Sequence, residues 1–366
     1  MSAYAQALRQ AITPGCTVID IGAGPGMFAL LACRYGAGNV IAIEPDPSII
    51  LLKKFAQDNG FADRIEPFQG VSSDYHPLDK ADVIISDLRG GLPYFEGHIG
   101  TIVDARERLL APGGRLIPQR DTIHIAAVES ASTYVELAEP WSRNDYGLDL
   151  SAGRRFTINS QRRSDFKPEQ LLGPAQMLAT IDYHTVVDPN LRASASLEIN
   201  RGGVLHGLLS WFDTQLAPGV EYSNAPGKAP LIYSQTFFPL DQPLSVQPGD
   251  RLEVEIMANL VGGSYVWSWN SRHLRAGTQT APAVRQSTFL SNIMDSKKLA
   301  IRSDHFVPPR PEAIDIDALC LSLINGEHDL KTIAERVEQQ FPHAFAGSSG
   351  ALDHVTKVAS RYGART

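Results

Sequence analysis

The first 120 or so residues alternate short apolar runs, rich in β-branched residues, with segments that have helical periodicity. The apolar runs are Thr17–Ile21, Asn39–Ile43, Arg64–Phe68, Asp82–Ser86 and Gly114–Ile117. The helical segments between them are Met27–Tyr35, Pro47–Asn59 and Gly97–Leu110. Strands that alternate with helices in this way pack as a parallel sheet with helices on both faces. The alternation therefore predicts an α/β domain over residues 1–120.

A second pattern, with apolar residues at every second position and turns of Pro, Gly and Asn, extends from about residue 121 to residue 290. Its clearest runs are Thr122–Val128, Ala193–Ile199, Gly203–Phe212, Ser234–Phe238 and Leu252–Ala258. Because no crossover helices lie between these runs, we expect antiparallel pairing. The pattern predicts an antiparallel β-barrel or sandwich domain over residues 121–295, interrupted by a short helix at Pro168–Leu172.

Prolines at positions 308, 309 and 311 mark a linker, after which helical periodicity returns. Asp329 lies at an N-cap position before Leu330, Ile333 and Val337, which share one helical face. We therefore predict a small helical domain over residues 305–366.

The charge balance restricts the partners of the chain. Its 366 residues carry a formal net charge of −7, and the densest basic cluster is short: Arg154, Arg155, Arg162, Arg163 and Lys167. An acidic chain without a basic stripe is not expected to bind nucleic acid. Since no apolar run approaches the roughly 18 residues that span a bilayer, we expect no membrane association.

The cysteines and histidines give no sign of a metal site. Cys16, Cys33 and Cys320 are odd in number and, like the ten histidines, show no metal-ligand spacing. The residues Met1–Tyr4 have neither a basic region nor an apolar stretch of the kind that opens a signal peptide. These features predict a cytoplasmic protein without a metal ion.

A glycine-rich turn between the first strand and the first helix is the strongest local signal of a ligand. Gly22, Gly24 and Gly26 allow backbone to approach a ligand closely, and the following helix N-terminus favours a negative group. Alone, the turn fits either a dinucleotide or S-adenosylmethionine. Glu44 is the last residue of the second strand, where its carboxylate can accept hydrogen bonds from both ribose hydroxyls of a ligand. Asp20 lies in the first strand, just before the glycines. The two acids favour S-adenosylmethionine.

Several motifs together resemble the protein arginine methyltransferases. In chain order they are Val18–Gly26, Glu44, Asp82–Asp87, Ala111–Pro118, Tyr146–Ser151, Tyr222–Pro226 and Gln235–Phe238. The resemblance covers roughly residues 1–290. It implies a Rossmann-like domain that binds S-adenosylmethionine and releases S-adenosylhomocysteine, followed by a β-barrel domain. It also implies an adenine pocket lined by Val71 and Ser72, and a homodimer formed through an arm at residues 146–184.

In that family two glutamates nine residues apart grip the substrate guanidinium, and here Asp87 and Glu96 hold the two positions. Carboxylates recognise a planar guanidinium through paired hydrogen bonds. The resemblance therefore implies that Asp87 and Glu96 are catalytic residues that orient the acceptor. Asp87 is also expected to contact the cofactor.

The chain departs from the family around this loop. Asp87 is one methylene shorter than glutamate. Arg89 brings a positive charge into the loop, where we expect it to pair with Glu96 or to bind a substrate carboxylate, and we count it among the catalytic residues. Leu231-Ile232-Tyr233 stands where the family has Thr-His-Trp, and the segment before the first strand leaves only Tyr4 where a longer lid would contact the ligand.

The resemblance favours methylation of a guanidino or amino nitrogen of arginine in a peptide or protein. A small metabolite, such as free arginine or a natural-product intermediate, remains an alternative acceptor. A non-catalytic binding protein that keeps the cofactor fold is a second alternative.

The segment Ala318–Tyr362 is similar to winged-helix domains that bind leader peptides, and a purely helical cap is the other interpretation of it.

Overall fold

The computed structural model describes residues 1–143, 146–275, 283–293, 295–301 and 303–363. The chain divides into two compact units, Met1–Ile293 and Met294–Thr366. The first unit contains both the parallel and the antiparallel sheets. The boundary expected near residue 120 therefore lies inside one compact unit.

The N-terminal part of the first unit is a five-stranded parallel sheet with strand order β3-β2-β1-β4-β5, as the alternating pattern predicts. Its strands are β1 (Thr17–Ile21), β2 (Asn39–Glu44), β3 (Ile65–Gln69), β4 (Ala81–Ser86) and β5 (Leu110–Ile117). The helices are α1 (Ser2–Ala11), α2 (Met27–Arg34), α3 (Ile49–Asp58) and α4 (His98–Asp104). The strand order reverses between β1 and β4, and in such sheets a crevice opens beyond the carboxyl ends of the strands on either side of the reversal.

Burial on both faces explains why the central strands of this sheet are mostly apolar. Val18 and Ile19 are neighbours in β1, point to opposite faces, and are both fully buried. They belong to two different clusters of core residues, one on each side of the sheet. A strand that is buried on both faces has few polar side chains on either face. Its sequence is therefore a nearly continuous apolar run, and such runs predicted this sheet.

The second part of the first unit consists of two antiparallel sheets. A six-stranded sheet has the order β7-β12-β10-β6-β8, with β11 paired to β10, and a four-stranded sheet has the order β15-β14-β13-β9. The strands of the larger sheet are β6 (Arg120–Val128), β7 (Arg162–Ser164), β8 (Gln176–Asp182), β10 (Gly203–Ala217), β11 (Val220–Ser223) and β12 (Gln235–Val246). The strands of the smaller sheet are β9 (Leu191–Glu198), β13 (Arg251–Val261), β14 (Ser264–Leu274) and β15 (Val284–Ser287). Two helices, α5 (Ala131–Ala138) and α6 (Ser151–Ile158), lie in the connection between β6 and β7.

Aromatic side chains from both antiparallel sheets share one core. Phe212 and Phe238 come from the larger sheet, and Trp267 and Trp269 come from β14 of the smaller one. The ring centroids of Phe238 and Trp269 lie 5.4 Å apart, and the indole N–H of Trp269 donates to the Pro239 carbonyl at 2.9 Å. The two sheets therefore pack face to face, and the tryptophan side chains fill the core between them.

Helix α1 packs where the parallel and antiparallel parts meet. Its buried residues Tyr4 and Leu8 lie in the same core cluster as Leu216 and Val220 of β10 and β11. This placement brings Tyr4 to the end of β4, where its hydroxyl lies 3.5 Å from the Ser86 carbonyl.

In its described residues, the second unit consists of helices: α7 (Ser296–Ala300), α8 (Glu312–Leu323), α9 (Leu330–Gln340) and α10 (Ser348–Tyr362). The last three enclose a core of their own, which includes Cys320, Ile333 and Val355. The Asp329 carboxylate accepts a hydrogen bond from the Thr332 N–H at 2.8 Å, which confirms the predicted N-cap of α9.

The separate core of the second unit makes a stability prediction. Ile333 is 2 % exposed, whereas Ile314 of the same unit is 46 % exposed. Removing one buried methylene leaves a small cavity, so Ile333→Val is expected to lower the opening free energy of this unit by about 0.5–1.5 kcal/mol. Ile314→Val is the matched control and is expected to change it little. Hydrogen exchange of the α9 and α10 amides measures both, and equal effects of the two variants would contradict the assignment of this core.

Candidate active site

The glycine-rich turn lies at the carboxyl end of β1, beside the crevice where the strand order reverses. Gly22 has φ of 75°, and a Cβ atom there would lie 2.4 Å from Cδ2 of Leu88. Gly26 has φ of 87°, and its Cβ would lie 2.2 Å from Cδ1 of Leu52. Around Gly24 a Cβ atom would meet nothing within 4 Å. The turn therefore requires glycine for its own packing at both ends and presents an open backbone surface at its centre.

Glu44 is held in place at the end of β2. One of its carboxylate oxygens accepts from the Gly24 N–H at 2.9 Å, and the other accepts from the Asp46 N–H at 2.8 Å. Each carboxylate oxygen can accept a second hydrogen bond. The side chain is therefore pre-oriented and still able to accept from two neighbouring hydroxyls.

Asp20 is a fully buried acid beneath the glycine turn. Its Oδ2 accepts from the Ala29 N–H at 3.1 Å, while its Oδ1 has no hydrogen-bond partner among the described residues. Burial raises the pKa of Asp20 to about 7; the Ala29 N–H bond opposes this shift and the Glu44 charge adds to it. A buried carboxyl with one unsatisfied oxygen fits a ligand that brings a hydrogen-bond donor or a cationic group.

Val71 and Ser72 follow β3 and open a short 3-10 turn. Val71 is exposed and Ser72 is buried. Arg108 fixes the turn by donating to the Ser72 and Tyr75 carbonyls, and it forms an ion pair with Asp104 at 2.8 Å. The sequence around Arg108 gives no sign of this role beyond an acid four residues earlier, Asp104.

Beyond β4, the loop of residues 87–96 turns Arg89 inward, so that its side chain is fully shielded from solvent. Its Nη1 donates to the Asp121 carboxylate at 2.9 Å and to the Thr214 hydroxyl at 2.8 Å. Its Nη2 donates to Asp87 at 3.1 Å, to the Tyr222 hydroxyl at 2.5 Å and to the Tyr4 hydroxyl. The structure therefore pairs Arg89 with Asp87 and Asp121, rather than with Glu96 as the sequence suggested.

Three aromatic rings surround the same guanidinium. The Arg89 Cζ lies 5.5 Å from the ring centroids of Phe212 and Tyr222, and 5.9 Å from that of Tyr233. Cations are attracted to the faces of such rings. The cluster is therefore a complete guanidinium-binding site, and its occupant is a side chain of the protein itself.

The charges of this cluster are set by burial and by the two carboxylates. Burial works against the cation on Arg89, but Asp121 and the other neighbours outweigh it and raise the arginine pKa well above its ordinary value.

A chain of hydrogen bonds leads away from Asp121. Tyr183 donates to Asp121 at 2.5 Å, and the His98 ring nitrogen lies 2.9 Å from the Tyr183 hydroxyl. Burial and the Arg89 charge lower the pKa of His98 to about 3, so this histidine is neutral at physiological pH.

The two acids expected to hold the acceptor differ in their surroundings. The Asp87 side chain is 20 % exposed and accepts from Arg89 on one oxygen and from the Tyr233 hydroxyl on the other. Glu96 is exposed, and its backbone has a left-handed φ of 43°. Tyr233, which belongs to the segment that replaces the family's Thr-His-Trp, thus serves as a partner of the first acid.

The described residues contain no group of three or more histidine, cysteine or acidic side chains placed to hold a metal ion. Across those same residues, the structure has no helix of sufficient length and apolarity to span a membrane.

Two protein families match consecutive parts of the chain. Residues 3–117 match the ribosomal protein L11 methyltransferase (PrmA) family, and residues 119–261 match the arginine methyltransferase oligomerization subdomain. Protein arginine N-methyltransferase 1 of Saccharomyces cerevisiae is 28 % identical over 250 residues, which is 66 % of this chain and 72 % of the yeast protein. The Chlamydomonas reinhardtii protein of the same name is 28 % identical over 241 residues, covering 64 % and 70 % of the two chains.

Solved structures agree with the fold. The Trypanosoma brucei PRMT1 enzyme-prozyme heterotetrameric complex with AdoHcy matches with a TM-score of 0.71 at 22 % identity, over 78 % of this chain and 93 % of that one. Arabidopsis thaliana protein arginine methyltransferase 10 matches with a TM-score of 0.70 at 21 % identity, over the same shares of the two chains.

The glycine turn, its two acids and the matched families define an S-adenosylmethionine-dependent methyltransferase. The match to this class favours an enzyme over the alternative of a non-catalytic binding protein. Within this class, the chain is similar to the protein arginine methyltransferases, with a Rossmann-like domain, an antiparallel sheet domain and C-terminal helices.

Burial of Asp20 predicts a pH dependence of stability. The carboxyl has a pKa of about 7 in the folded protein, against 3.8 as its ordinary value. Between these values the unfolded chain is ionised at this residue and the folded chain is not, so unfolding releases a proton and folding loses stability as pH rises. The loss is on the order of 4 kcal/mol, since each pKa unit corresponds to 1.36 kcal/mol.

Asp20→Asn has no such ionisation, so its stability relative to the wild type is expected to increase from pH 4 to pH 7 and to remain constant above. Urea unfolding of both proteins without cofactor measures the difference. The exposed substitution Asp58→Asn on α3 is the control. Parallel pH profiles for the wild type and Asp20→Asn would show that burial of Asp20 does not oppose its charge.

Proposed function

We propose that this protein transfers the methyl group of S-adenosylmethionine to a guanidino nitrogen of an arginine residue in a peptide or protein. The observation that carries the proposal is the position of Asp87. It is a partly exposed carboxylate at the end of β4, beside the strand-order reversal, with its other face fixed by Arg89 and Tyr233. The relatives named as protein arginine N-methyltransferases support the same acceptor.

The cofactor supplies an electrophilic methyl group, and the residues around the glycine turn would hold it. The unsatisfied Oδ1 of Asp20 suits the ammonium group of its methionine part. Glu44 can accept from both ribose hydroxyls, as its orientation by Gly24 and Asp46 indicates. Val71 and Ser72 would border the adenine.

The carboxylates would orient the acceptor rather than react covalently. An acid that accepts hydrogen bonds from a guanidinium fixes the direction of the nitrogen lone pair, and positioning alone is a large part of such catalysis. In this proposal Asp87 holds the acceptor and Glu96, exposed on the same loop, completes the grip.

The geometry does not favour the alternative in which Arg89 holds the carboxylate of a small substrate. Its Nη1 and Nη2 donate to Asp121, Thr214, Asp87 and two tyrosines, and its Nε lies 3.4 Å from Asp87. A substrate carboxylate would have to displace buried partners, so we assign Arg89 a positioning role.

Transfer of labelled methyl from S-adenosylmethionine tests the proposal, with an arginine-rich peptide and free L-arginine offered side by side. We expect label on the peptide, and a decrease in kcat/KM of about 100-fold or more in Asp87→Asn, since one preorganised charged contact contributes on this scale. Glu96→Gln is expected to decrease kcat/KM in the same direction, and Asp58→Asn on α3 to leave it unchanged.

Label on free arginine alone would identify a small-molecule enzyme. No label on either acceptor, with S-adenosylmethionine still bound, would exclude arginine as the acceptor.

We also propose that the protein is a homodimer that uses the arm at residues 146–184. The arm lies within the segment that matches the oligomerization subdomain, and its apolar residues Leu150 and Met177 are exposed. Light scattering at micromolar concentration is expected to give twice the 39.9 kDa mass of one chain. Leu150→Asp should shift the mass toward that of the monomer, and a monomeric wild type would contradict the proposal.

A cytoplasmic location is the remaining part of the proposal. The three cysteines, Cys16, Cys33 and Cys320, are buried free thiols, which fits a reducing compartment.

For the C-terminal unit, the described helices favour the helical interpretation over a winged helix, whose wing requires strands.

A further inference from the structure

Asp121 lies near the start of β6, deep in the cluster around Arg89, and its sequence neighbourhood carries no motif. Its side chain is fully shielded from solvent. One oxygen accepts from Arg89 at 2.9 Å and from the Thr214 hydroxyl at 2.7 Å, and the other accepts from Tyr183. With both oxygens engaged inside the protein, Asp121 has no face that an acceptor can reach.

We propose that Asp121 is a positioning residue for methyl transfer, because it neutralises Arg89 and leaves the charge of Asp87 free to attract a cationic acceptor. The proposal rests on the function proposed above for Asp87. It adds a residue that acts through Arg89 and does not touch the substrate.

The charge count of the cluster carries the proposal. Arg89 contributes one positive charge, and Asp87 and Asp121 contribute one negative charge each. His98 is neutral, and burial raises the pKa of Tyr4 and Tyr183, so these groups add nothing at physiological pH. The cluster therefore has a net charge of −1. Without Asp121 the remaining pair, Arg89 and Asp87, would be neutral.

Geometry determines which carboxylate holds the excess charge. Arg89 and Asp121 are both wholly buried, and a buried cation needs a buried counter-ion. Asp87, at 20 % exposure, is the member of this trio that can reach a ligand. Arg89 also touches Asp87 Oδ1, while Tyr233 donates to Oδ2, so the acid is oriented from two sides.

Asp121→Asn tests the proposal, because it preserves the shape of the side chain and removes its charge. Arg89 then has Asp87 as its sole anionic partner in the trio. We expect the KM for an arginine-rich peptide to rise at least tenfold, while the affinity for S-adenosylhomocysteine, which lacks the sulfonium charge, stays within twofold. Asp182→Asn is the matched control, since Asp182 pairs at 3.5 Å with Arg120 in a half-exposed position; it should leave both values unchanged.

The double variant Arg89→Met with Asp121→Ala separates charge balance from loss of structure. It removes both buried charges and leaves Asp87 ionised, so the peptide KM should be at least threefold lower than that of Asp121→Asn, while kcat falls because Asp87 loses Arg89 as an orienting partner. This variant also serves if Asp121→Asn alone does not fold. A wild-type KM in Asp121→Asn, or a KM in the double variant as high as in the single one, would overturn the proposal.

Calorimetry of peptide binding in the presence of S-adenosylhomocysteine keeps this inference separate from the proposed function. If the wild type binds the peptide without methylating it, the proposed function fails, and the tenfold weaker binding by Asp121→Asn still decides the role of Asp121. If the wild type neither binds nor methylates the peptide, both are wrong.

Discussion

A guanidinium without access to water is the constraint on which the rest of this active site depends. A buried cation is costly unless charged and polar partners replace its hydration. The partners of Arg89 come from both halves of the first unit: Asp87 and Tyr4 from the parallel half, and Asp121, Thr214 and Tyr222 from the antiparallel half. Because these contacts together replace the hydration of a buried cation, they fix how the loop after β4 lies against the second set of sheets.

The parallel sheet was predictable because its determinants are local. Strands buried on both faces are mostly apolar, and the glycine turn has its own backbone requirement at Gly22 and Gly26. Strand β14 carries a weaker local signal. It alternates Ser264, Val266, Ser268 and Asn270 with Tyr265, Trp267 and Trp269, and its run was not among the strands predicted from the sequence. Its place became clear only through its pairing with β13 along the full length of both strands.

The arrangement around the glycine turn was predictable for the same reason, since Asp20, the glycines and Glu44 lie within a single β-α-β unit. The cluster around Arg89 was not. Arg89 was visible as an unexpected charge, but its partners are 32 positions away at Asp121 and 125 positions away at Thr214. Nothing in the neighbourhood of either residue marks it, because the contact exists only once β6 and β10 have paired. Glu96, which lies on the same loop as Arg89, was the ion-pair partner that the sequence suggested for Arg89. In the structure Glu96 is exposed.

The interlocked charges at Arg89 and Asp121 also bear on how such a site can change over evolutionary time. A lineage that has Asp121 without Arg89 carries an uncompensated charge in a dry interior, and one that has Arg89 without Asp121 uses the charge of Asp87 to neutralise the guanidinium. The two positions are therefore expected to change together or not at all, with the surrounding tyrosines retained as long as the pair persists. Among related chains, finding one of the two residues should predict the other, even though Arg89 lies in the loop after β4 and Asp121 lies in β6 of the antiparallel sheet.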